Sequence, residues 1–176
     1  MIDTIYDRKG DSMKTITVYF GGQNPETSTM TQVAKAVSEV CGADLFEIKP
    51  VYPYSTNMKE CTDRANKEKD ENARPEVMGP MPILDDYSTM ILGMPNWCGS
   101  APMIVLSFLD AYYQSGALKN IRIVPYIIND GAGPQECVKD LERTYPDLTI
   151  DEGSSFIANK YDTAVPLAIE WIAQVM

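Results

Sequence analysis

The stretch TMILGMPNWCGSAPMIVLSFLDAY, residues 89–112, joins a strand to a helix through a loop that contains glycine and proline. Residues 89–94 form a short, buried-looking β-rich run, and the strongly apolar helix that follows ends before Gly116. Pro102 suits the first turn of that helix, where a missing N–H costs nothing. Strands that alternate with helices in this way indicate an α/β fold.

The same alternation continues on both sides of this stretch. We predict further strands at 15–20, 43–48 and 121–128, and a weak fifth strand at either 148–150 or 154–157. Helices are predicted from Met30 to Gly42, within the charged segment 58–73, along a face made by Val138, Leu141 and Tyr145, and from about Thr163 onward. This order predicts a three-layer, doubly wound α/β fold with a five-stranded parallel sheet.

Pro125 is the awkward residue in this assignment. It lies inside the predicted fourth strand, where a central position needs an amide donor that proline lacks. We keep the strand and expect a local distortion of the sheet at this residue.

Length and composition limit the domain organisation. The chain has 176 residues, of which 44% are hydrophobic, which is enough for one well-filled core and too few for two comfortable domains. We predict a polar N-terminal tail at 1–13, in which Met13 is an alternative start, followed by a single domain over 14–176.

The chain is acidic, with a formal net charge of −10. This charge disfavours nucleic acid and anionic membrane surfaces as partners. It predicts either an ordinary solvated surface or a face that docks onto a basic protein. No apolar run approaches membrane-spanning length and the start has no signal-peptide core, so we expect a cytoplasmic protein.

The residues usually responsible for catalysis and metal binding are sparse. The chain has no histidine, which excludes imidazole general bases and histidine-ligated metals. Its four cysteines are scattered without zinc-type spacing, which suits a reducing compartment. We therefore expect a bound cofactor to supply any reactive group that this protein uses. We expect no metal site.

Three loops that leave predicted strand ends carry unusual residues: 21–30, 95–102 and 129–134. In doubly wound folds, ligands bind outside the carboxyl ends of the strands, at a point where the strand order reverses. These loops are therefore the candidate binding site.

The loops and their flanking elements resemble those of the flavodoxin family. The resemblance covers nearly everything after Met13 and rests on the segments TVYF, VAKAVSEVCGADLFEIKPVYPY, ENARPEV, ILGMPNWCGSAPMIVLSFLDAY and IVPYIINDGAGPQECVKDL. GADLFEI and ILGMPNWCGSAP together are its most specific part.

The resemblance implies a flavodoxin-like fold with strand order 2-1-3-4-5 and non-covalently bound FMN. In this family the first loop binds the phosphate, and the loops after the third and fourth strands close over the flavin ring. The implied cofactor-binding residues are Gly21, Thr27, Ser28, Thr29, Met30, Pro95, Asn96, Trp97, Cys98, Gly99, Asn129, Asp130, Gly131 and Gly133. The backbone amides of Gly131, Ala132 and Gly133 are expected to reach the ring carbonyls.

The first loop is where the chain departs from the family. It is four residues longer than the usual Ser-x-Thr-Gly-x-Thr loop, and the last hydroxyl position is Met30. A helix N-terminus with neighbouring hydroxyls can still bind a phosphate. The alternative is a simple helix cap in which Thr29 and Gln32 form a capping box.

The other two loops also leave alternatives open. Trp97 either stacks on a flat ring or covers the end of the sheet as ordinary packing, and Gly99 allows close backbone approach. Cys98 stands where the family often has a second aromatic, with no lysine or arginine nearby in sequence to activate its thiol. Asn129 and Asp130 either contact the ring or cap a tight turn.

Three functions follow. The first is an FMN-binding, flavodoxin-like electron carrier that meets a basic redox partner, either a reductase or an acceptor enzyme. The second is an FMN-dependent NAD(P)H or quinone reductase. The third is an interaction module that has lost the cofactor.

Overall fold

The computed structural model describes residues 13–131, 133–158 and 160–176. Residues 1–12 of the predicted tail lie outside these ranges, as does Ala132. The strands are β1 (Lys14–Tyr19), β2 (Asp44–Glu47), β3 (Tyr87–Pro95), β4 (Arg122–Asn129), β5 (Thr149–Ile150) and β6 (Ser154–Ile157). The helices are α1 (Thr29–Cys41), α2 (Met58–Asp70), α3 (Met103–Tyr113), α4 (Gln135–Thr144) and α5 (Tyr161–Val175).

The strands form one parallel sheet in the order β2-β1-β3-β4-β5, and β6 also pairs with β4. The predicted fold class and strand order are therefore confirmed. Alternate side chains along each strand point to opposite faces, so one strand feeds two cores. In β1, Ile16 and Val18 belong to one core cluster, whereas Tyr19 belongs to the other.

Helices cover both faces and complete the three layers. One core contains buried residues of α2, α3 and α4, and the other contains buried residues of α1 and α5. The carboxyl ends of β1, β3 and β4 meet at the edge where strand order reverses, which places the three candidate loops together.

The fifth strand position is divided in two, and Pro125 explains the break. The carbonyl of Ile123 accepts from the amide of Asp151 in the fifth position. Since backbone direction alternates along a strand, Pro125 faces the same edge, and its missing N–H falls there. β5 pairs with β4 before Pro125, and β6 pairs with β4 after it. Both predicted locations of the weak strand are therefore strands. The expected distortion at Pro125 is confirmed as this break in the pairing.

Gly153 occupies the gap between β5 and β6. Its φ is +72°, and a Cβ at this position would lie 2.4 Å from the Pro125 carbonyl oxygen. Only glycine fits this left-handed position at such a close approach.

Candidate functional site

The loop after β3 contains a tight turn at residues 97–100, which we call the Trp97 turn. The backbones of Trp97 and Ser100 hydrogen-bond to each other in both directions, over 3.1 and 3.0 Å. The two central residues, Cys98 and Gly99, have φ values of +53° and +73°. Two consecutive positive φ angles define a type I′ turn, which favours glycine or asparagine over cysteine at its first central position.

A lysine from another element anchors this turn. The Nζ of Lys69, in the last turn of α2, donates to the carbonyl oxygen of Cys98 over 2.9 Å. No lysine or arginine lies near Cys98 in the sequence. Folding brings Lys69 to this loop from 29 residues away.

The Trp97 ring is half-buried in an aromatic cluster. It meets Tyr54 edge-to-face with ring centroids 4.7 Å apart, and Phe20 edge-to-face at 5.1 Å. Both contacts lie in the range of favourable aromatic pairs. Trp97 therefore has the packing role. It also lines the cavity described below, and stacking of its ring on a ligand stays a prediction.

The loop after β4 begins at Asn129, whose side chain is buried. Its Oδ1 accepts from the amide of Gly131 over 2.6 Å, which is the turn-capping role. Its Nδ2 is buried without a hydrogen-bond partner among the described residues. A buried, unpaired donor costs free energy, typically about 1–3 kcal/mol, unless a ligand or water satisfies it.

A cavity of about 430 Å³, which we call the ring cavity, lies between these two loops. Six of the residues predicted for the cofactor line it: Pro95, Asn96, Trp97, Cys98, Asn129 and Asp130. The remaining lining residues are Gln23, Met58, Cys61, Thr62, Ala65, Ile128 and Ala158. The lining does not include Gly99, Gly131 or Gly133.

Sequence reasoning missed the contribution of α2 and of Gln23 to this cavity. Met58, Cys61, Thr62 and Ala65 recur at helical spacing in an otherwise charged segment, and this periodicity was the available signal. Gln23 carried no comparable signal. Its Oε1 is a second buried atom without a hydrogen-bond partner in the described part of the chain.

The loop after β1 caps α1, and the cap differs from the predicted one. Ser28, not Thr29, is the N-cap of α1, because its backbone is extended and its Oγ accepts from the amide of Thr31 over 3.1 Å. The predicted capping box of Thr29 with Gln32 is therefore wrong. Thr29 and Met30 lie inside the helix with buried side chains, whereas Thr27 is exposed.

The four additional residues of this loop accommodate a short 3-10 helix, Pro25–Thr27. Pro25 packs against Gly21, where a Cβ would lie only 2.5 Å from the Pro25 Cβ. The loop also lines a second cavity, of about 410 Å³, together with Lys35 and Lys49. Gln23 borders both cavities.

The structure offers neither a metal centre nor a membrane span in the ranges that it describes. Within them, no three histidine, cysteine, aspartate or glutamate side chains cluster in a way that could bind a metal ion. In the same ranges, no helix has the length and apolarity needed to cross a membrane.

Comparison with known proteins gives the family. The flavodoxin family model matches residues 14–174. The chain belongs to the flavodoxin family. No curated protein sequence matches it significantly.

Solved structures of flavoproteins share this fold at low sequence identity. A provisionally assigned flavoprotein from Bacteroides eggerthii superposes with a TM-score of 0.76 at 23% identity, over 92% of this chain and 97% of that one. A flavoprotein from Lactobacillus acidophilus in complex with FMN gives 0.67 at 15% identity, over 83% and 93%. An oxidised flavodoxin from Bacillus cereus gives 0.57 at 17% identity, over 92% and 95%. At these identities the likeness establishes the fold alone.

Proposed function

We propose that this protein binds FMN in the ring cavity and works as a flavodoxin-like electron-transfer protein. The observation that carries the proposal is the pair of unsatisfied buried polar atoms on two residues that line this cavity. Asn129 presents a buried donor and Gln23 a buried acceptor, and neither has a partner among the described residues. A flavin carries both ring carbonyls and an N–H, so it can satisfy both atoms.

The other walls fit the same ligand. Trp97 supplies an aromatic surface, and Met58 and Ala65 of α2 supply apolar surface. Ligand sites of this type are mostly apolar, with a few polar groups that fix orientation. The L. acidophilus neighbour was solved in complex with FMN, which supports the same cofactor here.

The phosphate has a fitting environment at the start of α1. A 13-residue helix presents the positive end of its dipole to the loop after β1. Thr27 is exposed beside that end, and Lys35 lines the adjacent cavity. The hydroxyl of Ser28 is already engaged in the cap.

When bound, FMN supplies reversible uptake and release of electrons. The residues of this chain orient the ring through Asn129 and Gln23, and they exclude water through Trp97 and the α2 face. Asp130 lines the ring cavity and is exposed, so it places negative charge beside the ring.

The net charge of −10 supports a basic redox partner protein. We expect electron exchange with such a partner to slow steeply as ionic strength rises, because exposed charges are screened over about 10 Å at 0.1 M salt. A rate that is independent of salt contradicts docking by charge. The four cysteines are free thiols, which supports a reducing compartment such as the cytoplasm.

One observation favours reductase activity as a second candidate. Cys98 is small and exposed where a second aromatic would cover the ring, so the cavity stays open to a further substrate. Oxidation of NADH or NADPH coupled to reduction of a quinone, at a turnover well above that of free FMN, distinguishes this candidate from a carrier.

The first experiment is the visible spectrum of the freshly purified protein, followed by identification of the released flavin. FMN at about one equivalent per chain supports the proposal. Release of FAD contradicts FMN as the cofactor. Failure of the apo-protein to take up FMN contradicts the proposal and favours an interaction module without a cofactor.

A further inference from the structure

Two thiols line the ring cavity from different elements. Cys61 lies in the first turn of α2 and is 5% exposed, and Cys98 is exposed in the Trp97 turn. Neither cysteine is in a disulfide. The other two cysteines, Cys41 in α1 and Cys137 in α4, do not line this cavity and so provide internal controls.

Helix α2 runs along the Trp97 turn with the face that carries Cys61. Cys61, Ala65 and Lys69 follow one another at intervals of four residues, so they share one face of the helix. Ala65 and Lys69 border one small cleft with Trp97 and Ser100. Helical side chains lean toward the N-terminus, so the amine of Lys69 reaches back along this face to the Cys98 carbonyl. Cys61 lies about one helical turn, roughly 6 Å along the axis, before Ala65.

The charges of the two thiols also interact. Burial raises the pKa of the Cys61 thiol, Arg64 opposes this rise, and negative charge on Cys98 and on Glu68 adds to it. This influence of Cys98 on Cys61 agrees with the position of both residues in the lining of the ring cavity. Cys98 is accessible to reagents in solution, whereas Cys61 is accessible mainly to a group already attached inside the cavity.

We propose that Cys61 and Cys98 are a reversible thiol–disulfide pair that joins α2 to the Trp97 turn. The oxidant is a low-molecular-weight disulfide of the glutathione class. The Cys98 thiolate attacks one sulfur of that disulfide, its S–S bond breaks, and one glutathione thiolate leaves.

The second step closes the protein disulfide. Cys61 loses its proton and attacks the Cys98 sulfur of the mixed disulfide, and the second glutathione thiolate leaves. The two protons lost by the protein thiols end on the two glutathione thiols. Two protein thiols are thereby oxidised to one disulfide, and one glutathione disulfide is reduced to two thiols. The step needs no flavin, so it does not rest on the proposed function.

The test treats the full-length chain, with and without bound flavin, with excess oxidised glutathione, and maps cysteines after alkylation, proteolysis and mass spectrometry. We expect one cross-linked peptide pair that contains Cys61 and Cys98 and that dithiothreitol separates. The double variant Cys41→Ser, Cys137→Ser should retain this cross-link. Cys61→Ser should instead retain glutathione on Cys98.

The exposed position provides the variant that is safest for folding. In Cys98→Ser, Cys61 should remain free thiol after the same treatment. A mixed disulfide that persists on Cys98 in the unmodified chain would overturn the proposal. Absence of reaction at Cys98, or a cross-link to Cys41 or Cys137, would overturn it equally.

Discussion

The rings of Trp97 and Tyr54 meet edge-to-face, with centroids 4.7 Å apart and planes at 83°. Tyr54 is itself fixed, because its hydroxyl donates to Glu68 over 2.7 Å and the Arg64 guanidinium lies 3.8 Å from its ring centroid. The orientation of Trp97 is therefore set by the long connection between β2 and β3 as well as by its own loop.

We expect Trp97→Ala to weaken FMN binding by about 1 kcal/mol or more, roughly five-fold, because one aromatic contact to the ring is lost. Titration of the apo-protein with FMN measures this loss. Trp171→Phe is the matched control, because Trp171 packs against Tyr126 and Phe156 in the opposite core. If Trp97→Ala binds FMN as tightly as the unmodified chain, Trp97 has only its packing role.

Asn129→Asp tests the unsatisfied donor. The carboxylate retains an acceptor for the Gly131 amide and removes the Nδ2 donor. We expect FMN affinity to fall about ten-fold or more, because a neutral hydrogen bond contributes about 0.5–1.5 kcal/mol and the added negative charge lowers the affinity further.

The control for that charge is Asn120→Asp. Asn120 is exposed just before β4, at the amino end of the strand, and so lies away from the candidate loops. Equal FMN affinity in Asn129→Asp and Asn120→Asp would show that the Asn129 side chain does not bind FMN.

The alternation of elements could be predicted from sequence because strand and helix periodicity are local properties. The distortion at Pro125 could be predicted for the same reason, since a missing amide is a property of one residue. The N-cap residue of α1 could not be predicted, because Thr27, Ser28 and Thr29 are all able to cap a helix. Only the burial of Thr29 and Met30 in the core selects Ser28. The wall supplied by α2 and the bond from Lys69 to Cys98 depend on contacts between distant segments, which local patterns do not encode.

Gly153→Ala tests the account of the divided edge strand. The new methyl group would meet the Pro125 carbonyl at 2.4 Å, and the backbone would keep a φ of +72°. Gly116→Ala is the control, because Gly116 has a φ of +77° and open space around it. We expect the control to lose about 1 kcal/mol of unfolding free energy from backbone strain alone. Gly153→Ala should lose at least twice as much in denaturant titration, and equal losses would mean that the clash is relieved.

Alkaline pH should destabilise the fold partly through Cys137. Burial raises the pKa of this thiol from 9.0 to about 12. Because the folded-state pKa is the higher one, the thiol's contribution is fully present below pH 9. It declines as pH rises from 9 through 12, at no more than about 1.4 kcal/mol per pH unit.

Cys137→Ala should therefore flatten the fall in unfolding free energy between pH 9 and 10. Within that window Tyr112, whose pKa burial raises from 10.0 to about 12, contributes little. Denaturant titrations at three pH values measure the slope. An identical slope in the variant and the unmodified chain would show that Cys137 does not titrate differently on folding.

Titration of the apo-protein with FMN and with riboflavin, followed by Trp97 fluorescence in the Trp171→Phe variant, tests the central claim most directly. The ring cavity and the first turn of α1 should each contribute, the first to the ring and the second to the phosphate. We predict saturable binding of one FMN per chain with quenched fluorescence. Riboflavin should bind at least about 100-fold more weakly, which corresponds to roughly 2.7 kcal/mol. Equal affinities would show that the loop after β1 only caps its helix, and absence of saturable FMN binding would contradict the account as a whole.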